Sequence, residues 1–133
     1  MILRKAKNKK RGFTLAETVI ALAIIAVVSV SSLSLILSAQ KSTFAALEKQ
    51  QAQLYAADII SCYRVSDSKQ DFKSNVEFAL GDGAAWSSDT ELTMSGGMTA
   101  TAVVTGDTLS VVIIKEGKTL TELSFTKKGG LSS

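Results

Sequence analysis

The 133-residue sequence contains no proline, no histidine and a single cysteine, and only 6% of its residues are aromatic. Without histidine there is no imidazole general base and no histidine-based metal centre. One cysteine cannot form a disulfide framework within the chain. Most familiar catalytic constellations go with them, and the scattered Asp and Glu residues do not assemble into a nucleophile, base and orienting group. No enzymatic activity, cofactor or metal is expected. The length leaves room for one small domain beside any anchor.

Charge is unevenly placed. Six of the 15 Lys and Arg residues lie between Arg4 and Arg11, and the remainder of the chain sets nine against all 12 Asp and Glu, a net of −3. The basic character therefore belongs to the N-terminus. An acidic remainder without a basic stripe does not support direct nucleic-acid binding.

Apolar residues make up 46% of the chain and are concentrated early. Residues 13–37 read FTLAETVIALAIIAVVSVSSLSLIL, with Glu17 as the one charge and neither Gly nor Pro. About 20 apolar residues at 1.5 Å each cross a hydrocarbon core roughly 30 Å thick, so this stretch suffices for a tilted transmembrane helix. The Lys/Arg cluster before it places the N-terminus in the cytoplasm and the C-terminal part outside. A secretory signal peptide fits less well, because the apolar run is long and Leu37-Ser38-Ala39 lacks a small residue two positions before Ala39. Glu17 is costly in such a helix, at roughly 2.5 to 3.5 kcal/mol on insertion scales. Either it lies at the wet cytoplasmic edge or it has a partner.

Lys9-Lys10-Arg11-Gly12-Phe13-Thr14-Leu15-Ala16-Glu17, leading into Thr18-Val19-Ile20-Ala21-Leu22, closely resembles the cleavage and methylation signature of type IV prepilins, the precursors of pilins and pseudopilins. The likeness covers roughly residues 4–37. It implies removal of a basic leader, 1–12, by a prepilin peptidase cutting between Gly12 and Phe13, followed by N-methylation of Phe13. Gly12 has no side chain to crowd that cut. The resemblance also implies a transmembrane and assembly helix, 13–37, and an extracytoplasmic head, 38–133. Within a filament, Glu17 would pair with the Phe13 amine of a neighbouring subunit and so set register. The expected partners are the peptidase, other pilin subunits, an assembly ATPase and a platform protein. The subunit would sit in the inner membrane with a cytoplasmic N-terminus, and after assembly at the cell surface or in the periplasm. Major pilins often carry a Pro partway along this helix; here Ser29, Ser31, Ser32 and Ser34 occupy that region, which points to a minor pilin or pseudopilin, of a competence or type II secretion system. The alternative is a membrane-tethered binding module that does not polymerise.

Beyond the span, residues 38–66 lack Gly and Pro and favour continuation of the helix to about Val65. Helical spacing gathers Phe44, Leu47, Tyr55, Ile59 and Cys62 on one side, predicted to face a sheet, and Lys49, Gln50, Gln53, Ser61 and Arg64 on the other. Cys62 then reads as a small buried thiol. A weakly amphipathic segment, Asp71–Leu80, is followed by a turn at Gly81-Asp82-Gly83, since Asp82, Asp89 and Glu91 lack the ligand spacing of a calcium loop. Four β-rich runs follow: Glu91–Met94, Met98–Val104, Thr108–Lys115 and Lys118–Thr126. Gly96-Gly97, Gly106-Asp107 and Glu116-Gly117 separate them as hairpin signals. Val111, Ile113, Leu120 and Leu123 are predicted to face the helix. The expected class is α+β: a long N-terminal helix packed on a small antiparallel sheet, as in pilins.

Overall fold

The structure is a computed structural model and describes residues 14–132. Helix α1 runs unbroken from Leu15 to Val65, 51 residues free of Gly and Pro. The chain divides into two compact units, one ending at Ser42 and the other beginning at Thr43.

In the first unit every described residue is exposed, including Val19, Ile20, Leu22, Ile24, Ile25 and Leu33. A continuous coat of large apolar side chains is not a surface that water tolerates; it requires lipid or protein around it. By length and composition α1 qualifies to cross a membrane.

In the second unit, α1 stops where Ser66 turns back on it. The Ser66 N–H and Oγ–H both donate to Cys62 O, at 3.1 and 2.6 Å. Ser68 then caps helix α2 (Lys69–Leu80), its Oγ accepting from the Asp71 N–H at 3.2 Å. Gly81, at φ 73°, ends α2 in a conformation that side-chain-bearing residues rarely adopt.

Five antiparallel strands follow in sequence order, forming a meander: β1 (Ala85–Trp86), β2 (Glu91–Thr93), β3 (Met98–Thr105), β4 (Thr108–Lys115) and β5 (Lys118–Thr126). The β4–β5 turn places Glu116 at φ 51° and Gly117 at φ 77°, the pair of positive angles that matches the twist of a two-residue hairpin.

The core lies between helices and sheet. Ala52, Ala56, Ile59 and Tyr63 of α1 and Val76 of α2 are fully buried with Leu92, Leu109, Val111 and Ile113 of the sheet. Phe72 joins them and stacks edge-on against Tyr63 and Trp86, with ring centroids 5.7 and 5.9 Å apart. Trp86 packs as a half-buried core residue whose Nε1–H donates to Lys73 O at 3.2 Å.

Two side-chain expectations need correction. Phe44 and Leu47 do not face the sheet; they are 67% and 54% exposed. The buried face is built on Ala52 and Ala56, whose small side chains let the sheet approach closely while contributing little to an apolar pattern. On β5, Leu120 is half-buried and packs against the core as expected, but Leu123 is 37% exposed and Thr121 is buried in its stead. Ile113 pairs with Thr121 but Ile114 with Thr119, so Leu120 is the extra residue of a β-bulge. Leu123 lies opposite Val111 but on the edge strand, with no further strand described beyond it to cover its outer side.

Candidate functional site

Gly12 and Phe13, the expected cut site and methylation site, lie outside the described residues. The description begins at Thr14, whose position decides what Glu17 can reach. Thr14 is the residue before α1, and its Oγ1 accepts from the Glu17 N–H at 3.3 Å. In return, Glu17 Oε2 accepts from the Thr14 N–H at 3.4 Å. Two of the four donors that a helix start leaves unpaired are thereby satisfied reciprocally. Acidic Glu17 also lies in the first turn, where the helix dipole favours a negative charge.

This capping role of Thr14 was readable: Thr14-Leu15-Ala16-Glu17 is a Thr-x-x-Glu box directly before an apolar run. Reading the four residues only as part of a cleavage signature hides it. The structure thus gives Glu17 a partner within its own chain, and its carboxylate points back toward the N-terminal end of α1.

Further along, the four serines donate to carbonyls one turn earlier: Ser29 to Ile25, Ser31 to Val27, Ser32 to Val28 and Ser34 to Val30, at 2.7 to 3.1 Å. Each hydroxyl is satisfied inside the helix, so none needs water and α1 remains helical through this region.

Cys62 is a buried free thiol; burial, with a smaller push from Asp58, raises its pKa and disfavours the reactive thiolate. Burial likewise raises the Tyr63 pKa, reinforced by Asp107, and the Tyr63 hydroxyl donates to Asp107 O at 3.2 Å. Asp89 forms an ion pair with Lys73 at 2.7 Å, and hydrogen bonding to that ammonium holds its carboxyl below the usual range. Among the described residues, no group of three or more Cys, Asp or Glu side chains is disposed to hold a metal ion.

A family model described as the prokaryotic N-terminal methylation motif matches residues 7–33. No curated protein and no solved structure matches the chain. The motif match spans the basic run from Lys7, Gly12, Phe13, the Thr14–Glu17 box and most of the apolar segment, so these residues carry the type IV prepilin signature.

Proposed function

We propose that this chain is a filament subunit of a type IV pilus or pseudopilus, of the minor pilin or pseudopilin kind. A prepilin peptidase cuts it between Gly12 and Phe13 and methylates the Phe13 amine. Residues 13–37 anchor it in the inner membrane, and the head, 38–133, is exported. The observation that carries this reading is the methylation motif at residues 7–33, running directly into a helix whose apolar side chains are uncovered.

The physics of the proposed switch is simple. Cleavage removes six positive charges that hold the N-terminus in the cytoplasm. It also creates a cationic amine at Phe13. Opposite charges about 4 Å apart attract by roughly 4 kcal/mol at an effective dielectric near 20, enough to offset the insertion cost of Glu17. The apolar coat of α1 then leaves lipid for contact with like helices, drawn out by an assembly ATPase and a platform protein. The lack of Pro in the helix favours a minor subunit, in a competence or type II secretion filament.

The test is assembly. Co-expressed with a peptidase and an assembly system, the wild-type chain is expected in sheared surface filaments, and a Glu17→Ala chain is expected to be cut but to stay in the membrane. A processed wild-type chain that never leaves the membrane would instead make the protein a tethered binding module.

A further inference from the structure

The stripe of α1 that enters the head's core changes character before Ala52. At 100° per residue Ala45, Glu48 and Lys49 fall with Ala52, Ala56, Ile59 and Tyr63 within one arc of about 100°. The last four are fully buried, whereas Ala45 and Lys49 are exposed and Glu48 is half-buried. One face of the helix is therefore apolar and closed from Ala52 onward, and charged and open ahead of it.

Opposite that open part stands the end of the β4–β5 hairpin. A groove of about 480 Å³ runs between them, lined by Ala45 and Ala46 on one side and by Leu120, the bulge residue of β5, on the other. The two alanines are too short to fill it. Across it the Lys115 ammonium, at the end of β4, donates to Glu48 Oε1. Gln51, the other residue of this stretch with a side-chain bond, donates within α1 to Tyr55 Oη at 2.9 Å.

Two further charges line the groove. Lys49 on α1 and Lys118 on β5 form no ion pair among the described residues, and their like charges favour a wider groove. What opposes them is the Glu48–Lys115 pair, whose side chains are 41% and 23% exposed. An ion pair that solvent reaches is weak, comparable with thermal energy. The contact beyond Ala52 is held instead by buried apolar area, which does not part without unfolding.

We propose that Glu48 and Lys115 form a reversible latch: when the pair parts, the hairpin end and residues 44–51 of α1 move apart and the groove opens, while the core from Ala52 onward stays folded. The latch belongs to the head alone and does not depend on the prepilin reading.

Spin labels on Gln50→Cys of α1 and Thr119→Cys of β5, both exposed positions, read the separation across the groove by double electron–electron resonance. The full-length chain is used in detergent, with Cys62→Ala removing the native thiol. Lys115→Met and Glu48→Gln are each expected to shift the distance distribution to longer separation and to broaden it. The exchanged pair, Glu48→Lys with Lys115→Glu, is expected to restore the shorter and narrower distribution. Trp86 fluorescence should give nearly the same unfolding midpoint throughout. A distribution unchanged in both single variants would overturn the latch. So would one that widens only as the Trp86 midpoint falls, because the pair would then be part of the core's stability and not a separate closure.

Discussion

Thr14 and Glu17 bind each other twice, backbone to side chain in both directions, at 3.3 and 3.4 Å. This gives the carboxylate two separable duties: starting α1 and, in the proposed filament, meeting the Phe13 amine. Glutamine can serve in the box but carries no charge. Glu17→Gln is therefore expected to keep α1 helical by circular dichroism and to block assembly. Thr14→Ala removes a cap worth about 1 kcal/mol. It should speed amide exchange in the first turn of α1, with a smaller loss of filaments. Equal assembly defects in both variants would mean that capping, and not charge, is what assembly requires.

The two faces of α1 should differ in their contribution to stability. Ile59 is fully buried, so Ile59→Ala is expected to cost about 2 to 5 kcal/mol, whereas Leu54→Ala at an exposed position should stay within about 0.5 kcal/mol in monomeric, detergent-solubilised protein. Trp86 is the one tryptophan and packs on Phe72, so its fluorescence reports unfolding of the head.

The C-terminal residues form a strap over the α1–α2 connection. The Lys127 ammonium donates to Ser66 O at 2.6 Å, and Ser132 donates to Asp67 O through its N–H at 2.9 Å and its Oγ at 2.8 Å. Gly130 makes the strap's course possible: at φ 53°, an added Cβ would come within 2.9 Å of Asp107 Oδ1. Gly130→Ala is expected to destabilise the head by about 1 to 3 kcal/mol. Lys128→Ala, at an exposed position, should be near neutral by the same unfolding measurement.

Burial of Cys62 predicts both slow chemistry and a pH dependence. Alkylation by iodoacetamide at pH 8 should be slow in the folded head and fast after denaturation. The thiol's pKa is raised on folding, so its contribution is fully present below the unfolded value, about 8.5. It is lost as pH rises through the folded value, because the unfolded chain then releases its proton first. Stability that fell less steeply above pH 8.5 in Cys62→Ala than in wild type would agree with this.

Some of this architecture was legible in the sequence for identifiable reasons. An uninterrupted stretch without Gly or Pro marks α1, and Gly-containing breaks mark the hairpins between β2, β3, β4 and β5. The buried face of α1 was legible in part: Ile59, Cys62 and half-buried Tyr55 face the core as their spacing predicts, but Ala52 and Ala56 carry weak apolar signals while the exposed Phe44 and Leu47 carry strong ones. The bulge at Leu120 leaves no trace in an alternating Thr119-Leu120-Thr121, and two-residue β1 is too short for a pattern. Backbone hydrogen bonds build most of the C-terminal strap, which side-chain periodicity does not encode. At the N-terminus, Gly12, Phe13 and Glu17 could be singled out because their chemistry is tied to fixed spacing, whereas Thr14 passed unremarked as a cap.

Intact mass with N-terminal analysis, on chain expressed with and without a prepilin peptidase, tests the central claim most directly. The prepilin reading predicts a chain beginning at N-methylated Phe13 only when the enzyme is present, and loss of that product when Gly12 is replaced by a bulky residue. An uncut chain, or one cut near Ala39, would contradict it.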